Sequence, residues 1–116
     1  MNIEQVIIKH LTAALDVPVK ADVPKNRPER FVTVERVGGQ LAYYVFDHAD
    51  IAVQAWAPTR HEASELIELA DTAMHRITEI TNITKVARNS ITNFPDPDDK
   101  LSRYQGYYEL IFYKED

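Results

Sequence analysis

The sequence predicts an α+β fold, a single antiparallel or mixed β-sheet with two helices packed on one face. Three observations carry that expectation. Two segments repeat apolar residues at helical spacing, around residues 2–15 and 59–79. Several others are rich in β-branched and aromatic residues and are bounded by Pro, Gly and Asp, as strands are. The order runs helix, strands, helix, strands, which segregates the helices to one side of a sheet rather than alternating them. With 116 residues, 45% hydrophobic and 27% charged, the chain reads as one globular domain spanning 1–116.

In the first helix, Ile3, Val6, Ile7, Leu11, Ala14 and Leu15 form the apolar stripe. Asn2 can cap it, with Gln5 three residues later, and the helix ends before Pro18. A stretch spaced by Pro18, Pro24 and Pro28 follows, with a short extended piece at 19–23. Residues 31–37 read as a strand broken by Gly38-Gly39, where a turn or hairpin is expected. Residues 42–46 are extended and aromatic, and 47–50 (Asp-His-Ala-Asp) are expected to turn or bulge. Residues 51–56 alternate as a half-buried strand, with Ile51, Val53 and Ala55 on one side and Gln54 and Trp56 on the other.

The second helix carries the clearest signal. Pro58 stops the strand, Thr59 is a good N-cap, and Glu62 completes a capping box. Ala63, Leu66, Ile67, Ala70, Ala73, Met74 and Ile77 recur on one stripe, opposite Glu65, Glu68, Asp71, Thr72, His75 and Arg76. A further strand covers 83–91. Two prolines and three acids make 94–99 irregular. A long last strand covers 103–113, with Tyr104, Tyr108, Leu110 and Phe112 on one side and Tyr107, Ile111 and Tyr113 on the other. Both faces are apolar or aromatic, so this strand belongs in the middle of the sheet or in an interface.

Composition narrows the function. There is no cysteine, so disulfides and thiolate metal sites are excluded. No signal peptide and no membrane span is expected. The formal net charge of -5 argues against a nucleic-acid binder, whose affinity rests on neutralising phosphates. The basic cluster of Lys25, Arg27 and Arg30 reads as a solvated loop, and Asp96, Asp98 and Asp99 as a solvated turn. An EF-hand starting at Asp96 would need Gly and Glu where Leu101 and Tyr107 stand. His10, His48, His61 and His75 show no i, i+4 pair and read as surface or satisfied side chains. Ser64 lies on a helix face and lacks the surroundings of a nucleophile. The expectation is therefore a non-enzyme, with no catalytic, cofactor or metal residues.

The aromatic supply is more informative. Six tyrosines fall in two segments, Tyr43-Tyr44 and 104–113, and tyrosine suits surfaces that are apolar and wet at once. Tyr43, Tyr44 and Phe46 put large apolar area on a projecting hairpin that a small domain cannot cover itself, which points to a neighbouring subunit.

Three stretches carry a family resemblance: PERFVTVERVGG at 28–39, ADIAVQAWAPTRHEASELIELADTAMHRI at 49–77 and NFPDPDDKLSRYQGYYELIF at 93–112. Together, and in this order, they resemble the tail terminator (tail completion, minor tail) proteins of siphophages and prophages, particularly those of actinobacteria. Two features depart from that pattern, the strongly aromatic tip at 42–46 and Lys100 where glycine is frequent. The resemblance implies a structural virion protein that caps the tail tube as a homo-oligomeric, hexameric ring and forms the head-tail joining surface. The implied partners are itself, the tail tube protein and the head connector or stopper protein, with DNA only passing through the lumen. It implies a place in the virion tail after assembly in the host cytoplasm, and no cofactor. It adds Phe94, Asp96, Asp98, Arg103 and Tyr104 as contact residues. Another head-tail adaptor and a small-ligand-binding α+β module are the alternatives.

Overall fold

In a computed structural model that describes residues 2–39 and 45–114, the elements follow one another as α1 (Ile3–Ala14), β1 (Val19–Lys20), β2 (Phe31–Gly38), β3 (Phe46–Ala57), α2 (Arg60–His75), a 3-10 turn (Ile77–Glu79), β4 (Ile83–Asn93) and β5 (Ser102–Tyr113). The strands form one five-stranded sheet in the order β1-β2-β3-β5-β4. Only β1 runs parallel to its neighbour, β2, so the sheet is mixed. Both helices lie on one face, as the element order implies.

Local chemistry sets the helix ends. Asn2 accepts a hydrogen bond from the Gln5 N–H at 3.2 Å. Thr59 Oγ1 accepts from the Glu62 N–H at 3.1 Å, satisfying a donor the first turn leaves free. The continuous helix α2 stops at His75, short of residue 79, and the chain tightens through the 3-10 turn that carries Ile77 into the core.

The core lies between helices and sheet. Ile3, Ile7 and Leu11 of α1 meet Val32 and Val34 of β2, while the whole α2 stripe is buried above β3 and β5. From β5 come Tyr108, Leu110 and Phe112, all buried, with Tyr104 packed half-buried at the margin. Between Arg36 and Gly38 the β2–β3 ladder is irregular. There the Arg36 N–H donates to Glu4 Oε2 at 2.7 Å, pinning α1 to the sheet.

Two expectations are corrected. Residues 47–50 do not turn. They lie inside β3, a 12-residue strand paired on both sides, with Ala49 buried and its polar neighbours His48 and Asp50 on the face away from the helices. Asp71 does not belong wholly to the wet face of α2, because the Tyr108 hydroxyl reaches it from the sheet and donates a 2.6 Å hydrogen bond. β2 runs on through Gly38, and the turn expected after it falls at 40–44, outside the described residues. Gly39 has φ +122°, and a Cβ there would lie 2.0 Å from the His48 carbonyl oxygen.

Candidate functional site

The sheet face away from the helices carries Phe46 and Arg103 of the side chains expected to make contacts, and it differs along its length. Trp56 and Arg103 are partners across β3 and β5, and Phe31 is the partner of Trp56 on β2. Phe31 and Trp56 stack with ring centroids 5.4 Å apart. The Arg103 guanidinium lies 4.8 Å from the Trp56 ring and 4.3 Å from the Phe94 ring, and its Nε donates to the Phe94 carbonyl at 2.6 Å. Arg27 covers Trp56 from a second direction, 6.0 Å from the ring, and forms an ion pair with Asp99. Cationic planes over aromatic faces attract electrostatically as well as by packing.

This arrangement changes two readings. Trp56 is not half-buried but 2% exposed, because two loops fold over a face expected to be open. The basic loop and the acidic turn are not separately solvated: Arg27 joins them, and the Asp99 side chain is only 6% exposed. Asp96 Oδ1 accepts from the Asp98 N–H at 3.0 Å and closes the turn. Asp98 remains exposed, and Phe94 is 43% exposed. Below this cluster a polar line crosses three strands. Trp56 Nε1 donates to Thr33 Oγ1 at 3.4 Å, Thr33 donates to Gln54 Oε1 at 3.4 Å, and Gln54 Nε2 donates to Gln105 Oε1 at 2.8 Å.

The opposite end, where β2 gives way to β3, is apolar and open. Phe46 packs on Tyr113 with centroids 4.6 Å apart. Val37, Val45 and Tyr113 are 48%, 55% and 43% exposed. Tyr43 and Tyr44 lie outside the described residues. Phe46 and Trp56 are ten positions apart on β3, about 33 Å at a strand's rise. The expected contact residues are therefore not one patch. Phe94, Asp96, Asp98 and Arg103 sit at one end and Phe46 at the other, while Tyr104 turns to the helix side and packs on the core.

Between the two ends lies a group that sequence spacing did not reveal. His48 and Asp50 are two apart on β3, and Glu109 is the direct partner of Asp50 on β5. His48 Nε2 is 3.4 Å from Asp50 Oδ1 and 3.7 Å from Glu109 Oε2, and the three ligand atoms lie within 4.8 Å of one another. Asn89 Nδ2 donates to Glu109 Oε1 at 3.2 Å. The available signal was strand alternation, with Ala49 inward and His48 and Asp50 outward.

A groove of about 560 Å³ runs between the helices on the molecule's other side, lined by His10, Leu15, Asp16, Leu69, Ala73 and Arg76 among others. His10 Nε2 is 2.7 Å from the Ala73 carbonyl oxygen, so this histidine is satisfied, as expected of it.

No family model matches the chain, and no curated protein sequence does. Among the solved structures it resembles is a chain of a particle described as the virion of a native gene transfer agent. The TM-score is 0.50 and the identity 9%, over 94% of this chain and 85% of that one. The two share a fold.

Proposed function

We propose that the protein is a structural component of a phage-type virion and, more specifically, a tail terminator that closes the tail tube as a ring and offers the head connector its docking surface. The observation that carries this reading is the apolar end of the sheet, where Phe46 packs on Tyr113 and Val37, Val45 and Tyr113 are exposed. A surface of that kind at one tip of a molecule 44 Å long and 24 Å across suits a contact with a second copy. A head-to-tail contact that closes after a fixed rotation gives a ring, hexameric in the proteins it resembles. The shared fold with a gene transfer agent virion chain and the three resembling stretches point to the same class. The net charge of -5 suits a lumen through which DNA slides, since it removes the attraction that surplus cations would create. The partners in this reading are further copies, the tail tube protein and the connector. Its place is the virion tail, after assembly in the host cytoplasm, and it has no catalytic step.

The experiment replaces Val45 and Tyr113 together by Asp. The variant should remain folded and give overlong or headless tails. Normal tails from the folded variant would remove the hairpin end as the assembly surface. Normal tails after deletion of the whole gene would remove the terminator reading.

The groove between the helices favours a second reading, a small-ligand-binding module, because Leu15 and Leu69 are apolar there while His10, Asp16 and Arg76 are polar. A ligand that raises the melting temperature of wild type but not of Leu69→Arg would support it.

A further inference from the structure

We propose that His48, Asp50 and Glu109 form a binding site for one divalent transition-metal ion of the zinc class, bridging β3 and β5 on the face away from the helices. The inference stands on this geometry and is independent of the virion reading.

The three side chains bring a donor set suited to such an ion: one imidazole nitrogen and two carboxylate oxygens. Donors about 2.1 Å from an ion at tetrahedral angles lie about 3.4 Å apart. The two separations from His48 Nε2, 3.4 and 3.7 Å, lie close to that edge, and all three donors lie within 4.8 Å of one another. The donors stand on two neighbouring strands in the interior of the sheet, where the pairing of Asp50 with Glu109 fixes their spacing.

The surroundings support the same assignment. Asn89, on β4, holds the second oxygen of Glu109 and leaves Oε2 toward His48, the kind of outer contact that orients a ligating carboxylate. Gly38 gives Asp50 room, since a Cβ there would lie 3.3 Å from Asp50 Oδ2. The side chains of His48, Asp50 and Glu109 are 30%, 25% and 46% exposed, so an ion has a path in and water completes its coordination. The imidazole sets the preference. Magnesium and calcium take oxygen donors, whereas zinc takes nitrogen and oxygen together.

The ion would add a tie between β3 and β5, so binding should raise the melting temperature by mass action.

The test is calorimetric titration of the full chain, without a histidine tag, with zinc chloride and separately with magnesium chloride. Circular dichroism checks the fold of each variant. Wild type should take up one zinc ion per chain and bind magnesium far more weakly. His48→Ala and Glu109→Gln, each tested alone, should each weaken zinc binding at least about a hundredfold, and Asn89→Ala about tenfold, the scale of losing an outer partner. His75→Ala, which removes a different histidine–carboxylate pair, should leave zinc affinity unchanged. If His48→Ala does not fold, Glu109→Gln and Asn89→Ala still decide the question. No zinc uptake up to millimolar concentration would overturn the proposal. So would an affinity that Glu109→Gln leaves intact, because the ion would then sit elsewhere. Magnesium binding as strong as zinc would overturn the assignment to the zinc class.

Discussion

The Tyr108 hydroxyl donates to Asp71 Oδ1 at 2.6 Å, joining the middle of β5 to the C-terminal part of helix α2. The other Asp71 oxygen accepts from Arg88 at 3.0 Å and lies 3.4 Å from His75. One carboxylate thus gathers a phenol, a guanidinium and an imidazole at the edge of the core. Burial and the carboxylate together push the Tyr108 phenol well above the usual tyrosine range, so it remains a donor.

Tyr108→Phe removes that donor and keeps the ring. It should cost about 1.5–3 kcal/mol, the range for a hydrogen bond to a charged group, read by urea denaturation. The pH dependence has a definite sign. The folded phenol loses its proton at higher pH than the unfolded one, whose ordinary value is about 10. Its contribution is therefore fully present below about pH 10 and falls as pH rises above that. Tyr108→Phe should flatten this alkaline decline. A decline of equal slope in both proteins would assign it to other groups.

Gly106 leaves space for the same ring. A Cβ there would lie 2.8 Å from Tyr108 Cε1 and 2.9 Å from its hydroxyl, and the ring is fully buried. Gly106→Ala should destabilise by about 1–3 kcal/mol, as overpacking does. In a Tyr108→Leu background the added methyl should cost much less, and equal costs in both backgrounds would show that the ring is not what it meets.

Leu66 is fully buried on the α2 stripe. Leu66→Ala should cost about 2–5 kcal/mol, and a loss below 1 kcal/mol in urea denaturation would contradict the packing of this helix on the sheet.

The three acids of the 94–101 loop should separate. Asp96→Asn with Asp98→Asn should change stability by less than about 0.5 kcal/mol. Asp99→Asn alone should cost about 1–2 kcal/mol, because its side chain is 6% exposed and paired with Arg27. Equal, small effects at all three positions would mean that the two loops do not dock.

What the sequence revealed was what neighbouring residues decide together. The α2 stripe, the Asn2 and Thr59 caps and the alternation of β5 are periodic or local features, and the structure reproduces them. What escaped depends on partners distant in the chain. Asp47, His48 and Asp50 resemble turn residues by type, yet pairing with β5 holds all three extended, and alternation about the buried Ala49 puts His48 and Asp50 on the face away from the helices. Trp56 is buried because loops more than twenty residues away in each direction close over it. Asp71 borders the wet face of its helix by spacing alone, and only the register of β5 brings Tyr108 beneath it. Among the expected contact residues, strand alternation puts Arg103 and Tyr104 on opposite faces, and strand length separates Phe46 from Phe94.

The strand order has a consequence for synthesis. β5 follows the other four strands in the chain, yet it lies inside the sheet and is the neighbour of both β3 and β4. A ribosome that has made everything up to residue 101 has produced β3 with one side unpaired and β4 with no strand partner. Open strand edges of that length are templates for pairing with other chains. Pairings that span some fifty residues also form late. A product stopped before Ser102 should thus be an aggregation hazard rather than a smaller folded protein, and the nascent chain is most vulnerable just before the last strand emerges.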